Sequence, residues 1–160
     1  MINLRSLSMK IMNEQKITFK TLNAHSGQDG FHTNDKIAEF LEKHLEQYGD
    51  PKEDIMKCLD YVFNGTGGNV VLAVKGDDIM GAVITNKTGM SGYIPENILV
   101  YIAVSAKARG EGLGGKLIEN VLKITEGDMA LHVEPDNPAK RLYERVGFEN
   151  KYLEMRYKRK

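Results

Sequence analysis

Tryptophan is absent from the 160 residues, cysteine occurs once and proline four times. A lone Cys58 cannot close an intrachain disulfide, and no Cys/His spacing of the zinc type accompanies it, so neither a disulfide framework nor a metal site is expected. An excess of one charge is also missing. The 22 Lys+Arg face 22 Asp+Glu, which removes the global field that would draw nucleic acid or an anionic membrane. No stretch nears the roughly 20 apolar residues of a membrane span, and residues 1–16 (MINLRSLSMKIMNEQK) lack the continuous apolar run of a secretory signal. These absences point to a folded protein of the cytoplasm with no metal, no membrane and no nucleic-acid partner. The 41% hydrophobic and 28% charged residues are ordinary for one globular domain. Residues 1–15 read as a leader outside the packed domain, with Met9 and Met12 as rival starts, and residues 16–160 as a single domain.

What is present is a sequence of clear periodicities. Residues 17–22 (ITFKTL) alternate as a half-buried strand does. Thr33, Asn34 and Asp35 offer N-caps to a helix with Ile37, Phe40, Leu41, Leu45 and Tyr48 on its apolar face, closed by Gly49. Asp50 as cap and Pro51 as first residue open a second helix that runs to Gly65, where Ile55, Cys58, Leu59 and Val62 share a face and make Cys58 a core residue. Two β-rich runs, 69–74 (NVVLAV) and 79–84 (IMGAVI), flank a Lys-Gly-Asp-Asp turn and form a hairpin. Residues 98–104 (ILVYIAV) are apolar throughout, as in a strand covered on both faces. A helix follows from about Gly112 to Ile124 with Leu113, Leu117, Ile118, Val121 and Leu122 inward, then a short strand at 129–133. Asn137 and Pro138 start a helix carrying Ala139, Leu142, Tyr143 and Val146, and Phe148 onward returns to strand. The expected order is β-α-α-β-β-β-α-β-α-β, a mixed α/β domain with one sheet flanked by helices.

The chemistry concentrates at residues 109–116, RGEGLGGK, between the apolar strand and the helix. Such a turn aims several backbone N–H groups from the positive end of a helix dipole and suits a phosphate. Three patterns fit its glycines. Gly110, Gly115 and Lys116 match the spacing of a nucleoside-triphosphate loop, but Leu117 stands where that loop needs a hydroxyl for magnesium. Gly110, Gly112 and Gly115 match a dinucleotide turn, with Glu134 near the place of a ribose-binding acid. Residues 105–109 intervene after the strand, however, and only residues 135–160 follow Glu134, too few for the rest of a doubly wound half.

The third pattern is Arg109-x-x-Gly112-x-Gly114 after Ile102-Ala103-Val104. It resembles the acetyl-CoA signature of the GNAT superfamily of N-acetyltransferases. Asn137-Pro138-Ala139, then Leu142-Tyr143 and Val146-Gly147-Phe148, are similar to that family's closing helix and its Gly-Phe exit. The resemblance covers residues 17–158 and implies a mixed, mostly antiparallel twisted sheet. It also implies acetyl-CoA as acyl donor, with its pantetheine arm along Ile102, Ala103 and Val104. The pyrophosphate would lie on the loop of Arg109, Gly110, Glu111, Gly112, Leu113, Gly114, Gly115 and Lys116. Tyr143 matches the family tyrosine assigned as general acid, and a phenol of pKa about 10 can protonate a departing thiolate. Asn137 matches a cofactor-contacting position, although Tyr143 follows it by six residues where many members have seven, and capping explains it equally well.

No general base emerges. Ile98 stands where the family often has an acid, and Glu96, His132 and Glu134 read equally as solvated or structural groups. Cys58 lies far from both motifs, which favours direct attack over a covalent intermediate. The implied reaction is acetyl transfer to a primary amine of a small molecule, peptide or protein. Residues 33–64, which border the acceptor site in the family, hold eight acids against four lysines, a net −4, mildly favouring a cationic amine. A non-catalytic CoA-binding sensor, or transfer to a hydroxyl or from a longer acyl donor, remain open alternatives. Family members are often homodimers, and no residue pattern decides that here.

Overall fold

A computed structural model describes residues 3–160, without the side chains of residues 10–15. The sheet grows from the hairpin expected at residues 69–84. β2 (Gly68–Lys75) and β3 (Asp78–Lys87) meet at a two-residue Gly76-Asp77 turn, with Lys75 opposite Asp78 and Gly76 at φ 60, the left-handed conformation that glycine adopts without a Cβ clash. β1 (Ile17–Leu22) joins the outer side of β2, and β4 (Asn97–Val104) joins β3, both antiparallel. β5 (Met129–Leu131) pairs parallel with β4, which gives the order β1-β2-β3-β4-β5.

Side-chain alternation sends the strand residues to two cores. On one face Val70, Leu72 and Ile84 meet Ile37 and Leu41 of α2 (Asn34–Leu45) and Ile55, Leu59 and Val62 of α3 (Lys52–Asn64). On the other, Val71, Ala73 and Val83 meet Leu113, Leu117, Ile118 and Val121 of α4 (Leu113–Lys123) and Tyr143 of α5 (Ala139–Val146). Each Leu or Ile so buried contributes about 1.5–3 kcal/mol before entropy is counted. Cys58 lies in the first core, 9% exposed, with its thiol donating to Asn86 Oδ1 at 3.3 Å.

β4 carries an irregularity that alternation alone does not forecast. Tyr101 faces Ile84 and Leu99 faces Thr85, leaving Val100 as the extra residue of a bulge. The pleat therefore loses its phase: Leu99 packs with α4, both Val100 and Tyr101 with α2 and α3, and Ile102 again with α4.

Several local expectations are corrected. An additional helix, α1, occupies Leu4–Gln15, with residues 3–9 exposed; of the leader expected over residues 1–15, residues 1 and 2 lie outside the described residues. No strand follows Phe148, because residues 148–160 find no neighbouring edge to pair with. β5 stops at Leu131, so His132 and Val133 lie beyond it, and Leu122 is 36% exposed. Asp50 does not cap α3. The cap is Pro51, and the Asp50 carboxylate accepts instead from the Tyr101 hydroxyl at 2.6 Å, while the Lys52 amide donates to Glu42 Oε2 at 2.5 Å.

Candidate active site

Parallel pairing between β4 and β5 covers only Asn97, Ile98 and Leu99. Beyond Leu99 the two strands part, so residues 101–104 are paired with β3 on one side and with no strand on the other. The Ser105 amide fastens the end of β4 by donating to the Met80 carbonyl at 2.8 Å, and the Ser105 hydroxyl caps a 3₁₀ turn at Ala106–Ala108. Ala108, 2% exposed, pins that turn to the core. The residues expected to intervene between strand and glycines thus form a built connector.

The glycine loop leaves this anchor. Gly110 and Gly112 adopt φ 83 and φ 74, and no atom lies within 4 Å of where a Cβ would stand on either. Both glycines are required by conformation, while the space above them is free. None of the amides of residues 109–115 finds an acceptor among the described residues, the first bonded one being Lys116, which donates to the Gly112 carbonyl at 3.3 Å. They open α4, where partial positive charge collects. Gly114 has a different reason: its Cβ would stand 2.9 Å from Leu142 Cδ2, so it allows α5 to lie against α4. A groove of about 350 Å³ runs along this surface, lined by Val104, Arg109, Gly110, Gly112, Leu142 and Arg145 among others. A free strand edge leading to unpaired amides suits an extended amide-bearing arm ending in a pyrophosphate, and the residues present therefore fit CoA.

Glu111 and Lys116 are exposed at the rim, and Leu113 is buried under the loop. Arg109 points elsewhere. Its guanidinium donates to Glu46 Oε1 at 3.1 Å, in the link between α2 and α3, and to the His44 carbonyl at 3.2 Å, in the last turn of α2. That link is a 3₁₀ turn at Glu46–Tyr48, and Tyr48 donates its hydroxyl to the Asp136 carbonyl at 3.2 Å. With Tyr101 donating to Asp50, the link touches the loop after β4, β4 itself and the loop after β5. It frames the opening between β4 and β5. Nothing in the sequence signals this strap, since all three contacts join residues more than fifty positions apart.

Tyr143, on α5, is 8% exposed and packs edge-on against Phe148 at 6.0 Å between ring centroids. Its hydroxyl makes no hydrogen bond among the described residues, yet it is not among the sealed unpaired atoms there, which are His32 Nδ1 and Asn34 Oδ1, so it keeps access to solvent. Burial, with the nearby negative charge of Glu134, pushes the phenol up to about 12. Asn137 spends its Oδ1 on the Ala139 amide at 2.9 Å, a capping contact at the start of α5. A second groove, about 520 Å³, runs past Pro135, Asn137, Arg141 and Glu144 on the outer side of that turn.

The candidate bases differ in availability. Glu96 Oε2 accepts from the Asp128 amide at 2.6 Å, and its own backbone N–H first, then that contact, lower its pKa. His132 and Glu134 are exposed on the segment after β5. Burial raises the Tyr101 phenol well above its ordinary value, reinforced by Asp50. Burial also pushes Cys58 up to about 12, with the Asn86 contact opposing. A thiol so protonated is a poor nucleophile. Among the described residues no three His, Cys, Asp or Glu side chains are grouped to hold a metal, and no helix is long and apolar enough to cross a membrane.

The fold is an α/β domain whose cleft has a lining that fits CoA, and comparison with known proteins gives the family. The acetyltransferase (GNAT) domain family matches residues 66–150, more than half of the chain. The chain belongs to the GNAT family. Members of that family are acetyltransferases that take acetyl-CoA as acyl donor. A 5-NmdU N-acetyltransferase of Pseudomonas phage PaMx11 is 41% identical over 56 residues, which is 34% of this chain and 40% of that relative. The match thus spans well under half the relative's length. An integron cassette protein from the mobile metagenome of V. cholerae superposes with TM-score 0.62 at 22% identity, covering 90% of this chain and 92% of that one. The aminoglycoside N-acetyltransferase AAC(6′)-Iy, solved with CoA, gives TM-score 0.66 at 17% identity over 90% and 95% of the two chains. These two establish a shared fold.

Proposed function

We propose that the chain transfers an acetyl group from acetyl-CoA to a primary amine by direct attack. The observation that carries this reading is the junction of the unpartnered edge of β4 with the unbonded amides of residues 109–115 in one groove. In this reading Ile102, Ala103 and Val104 offer backbone groups to the pantetheine arm. An amide near Ile102 polarises the thioester carbonyl, and the loop amides hold the pyrophosphate. Bound acetyl-CoA supplies the activated acyl group.

Tyr143 is the proton donor. Raised to about 12, it stays protonated through the range in which an alkylammonium of pKa near 10 loses its proton, so acid and deprotonated amine coexist. Its hydroxyl, unbonded and accessible, is free to donate to the leaving thiolate. Arg109 holds the loop against the α2–α3 link, and Asn137 orients the turn that carries α5. The protonated Cys58 thiol supports direct attack over an acyl-enzyme. The chain acts in the cytoplasm on a small-molecule, peptide or protein amine that enters past the strap of residues 44–50, where the net −4 of residues 33–64 favours a cationic acceptor.

A thermal-stability screen with acetyl-CoA, NAD and ATP tests the donor: acetyl-CoA alone raises Tm, as any ligand selective for the native state must. A thiol-release assay over a panel of amines, with 5-NmdU included because of the phage relative, tests the reaction. No shift with acetyl-CoA overturns the reading of the groove. A shift without acetylation of any amine, and with no effect of Tyr143→Phe, identifies a CoA-binding sensor instead.

A further inference from the structure

Asp50 stands just before α3 and caps nothing. Its carboxylate turns to β4 instead, where Oδ2 accepts from the Tyr101 hydroxyl. The backbone is constrained on both sides of it. Pro51 follows at φ −59 and disfavours a helical residue 50, while a Cβ on Gly49 would stand 2.6 Å from Leu45 Cβ. A buried phenol needs an acceptor, and a neutral one would serve. Asp50 brings a charge as well. Residue 50 is exposed, and its other oxygen, Oδ1, accepts from no group among the described residues. The cations around it are committed elsewhere: Lys52 to Asp35 and Glu39, Lys57 to Asp54, and Arg109 to Glu46. Asp50 thus keeps a free carboxylate oxygen in the strap that frames the opening.

Tyr101 begins the stretch of β4 that no strand covers on its outer side. The bulge at Val100 sends its side chain to the α2–α3 face, whereas Tyr143 packs on the α4 face. A carboxylate and a phenol therefore flank the strand along which the proposed function lays the thioester. A base is what the site otherwise lacks. Glu96 is held by backbone amides, and His132 and Glu134 lie beyond the end of β5. The His44 ring stacks on Phe40 at 4.5 Å between centroids, and it is the His44 carbonyl that Arg109 engages.

We infer that Asp50 is the general base of the acetyl transfer and Tyr101 its positioning residue, an inference that rests on the proposed function. The acceptor enters as an ammonium and donates a hydrogen bond to Asp50 Oδ1. One proton passes from its nitrogen to the carboxylate, and the freed lone pair forms the C–N bond at the thioester carbon. The C–S bond breaks with its electron pair on sulfur, which takes the proton of Tyr143. The nitrogen returns a second proton to the Tyr143 oxygen, and Asp50 releases its own to water. The products are the amide, the CoA thiol and one proton. Burial first, then Asp50, raises the Tyr101 phenol, so it remains a donor to the carboxylate throughout. Asp54 and Cys58 of α3 are the other titratable groups acting on this pair; Asp54 is paired with Lys57, and the Cys58 thiol stays protonated.

Steady-state acetylation by the full chain, with an alkylamine acceptor from neutral pH to about pH 10, tests this. Asp50→Asn keeps an acceptor for the Tyr101 hydroxyl and keeps the acetyl-CoA thermal shift. It lowers kcat/KM for the amine about 10²-fold at neutral pH. The deficit shrinks toward about pH 10, where the amine deprotonates by itself while Tyr143, raised to about 12, remains an acid. An alkoxyamine acceptor, already neutral at neutral pH, shows little deficit. Tyr101→Phe costs roughly tenfold in kcat with the KM for acetyl-CoA unchanged. Should that variant fail to fold, the comparison of the two acceptors on Asp50→Asn still decides. Acetylation by the parent that Asp50→Asn matches at neutral pH overturns the inference and leaves the proposed function standing. So does a loss equal at every pH and with both acceptors, or the same pH-dependent deficit produced by His44→Gln instead. A parent that acetylates neither acceptor overturns the proposed function, and the inference with it.

Discussion

Arg109 ties the glycine loop to the α2–α3 link through Glu46, whose own backbone sits at φ 55 and ψ −130. Glu46 is the only non-glycine residue at positive φ among the described residues, and such a conformation costs an L-residue on the order of 1–3 kcal/mol. The ion pair itself is half exposed, 47% and 55% at its two side chains, and contributes roughly 0–1 kcal/mol. Glu46→Gly is therefore expected to leave Tm equal or higher, measured by thermal denaturation. Arg109→Gln is expected to raise the KM for acetyl-CoA by roughly tenfold, the equivalent of one charge-assisted hydrogen bond, with kcat less affected. Equal effects on both parameters would assign Arg109 to the reaction step.

Tyr143→Phe removes an unbonded hydroxyl from a ring packed against Phe148, so the fold should lose little stability. The expected loss is in kcat, about 10²-fold, the ordinary contribution of a positioned acid, with the KM for acetyl-CoA unchanged. Steady-state kinetics over a pH series provides the check, and an unchanged kcat would remove Tyr143 from its role.

The glycines separate binding from folding. Gly112→Ala meets no neighbouring atom but must hold φ 74, a strain of about 1–2 kcal/mol, and its methyl stands in the open space that the proposed reading gives to the pyrophosphate. The protein should fold and lose the acetyl-CoA thermal shift. Gly68→Ala would put a Cβ 1.9 Å from the Thr85 carbonyl oxygen inside the β2–β3 pair, and backbone cannot yield as a side chain does. A loss of about 3 kcal/mol or more is expected in urea denaturation.

Asp29 accepts from Lys20 and from the His32 and Phe31 amides, with Lys20 the main cause of a pKa lowered from 3.8 to about 2. A carboxyl whose folded value lies below its unfolded one stabilises the fold above the unfolded pKa, and the contribution fades as pH falls toward about 2. Asp29→Asn should accordingly be less stable than the parent at neutral pH, with the gap narrowing between about pH 4 and pH 2. Denaturation curves at both ends of that window measure it; a pH-independent gap would assign the effect to packing.

Elements with a strong local signature were legible. The 3.6-residue spacing of Ile37 and Leu41, or of Leu113, Leu117 and Val121, survives into buried faces, because a helix closes its hydrogen bonds within itself. The Gly76-Asp77 hairpin turn was legible for the same reason. The strand expected after Phe148 is different in kind: alternation grants a segment a strand-like face, but a strand exists only when another edge accepts it. Asp50 likewise carries the sequence of a cap, yet Tyr101, 51 positions away, takes its carboxylate.

RGEGLGGK by itself determined the open backbone of the loop, since glycine placement fixes local backbone angles and a helix start exposes its amides wherever it occurs. The motifs around it determined the family. Only the tertiary structure decided that β4 parts from β5 after Leu99, that a bulge at Val100 turns Tyr101 toward Asp50, and that the α2–α3 link closes over the opening through Arg109 and Tyr48. These depend on which distant groups meet, and hydrogen bonding between segments far apart in the chain leaves no periodicity in the sequence.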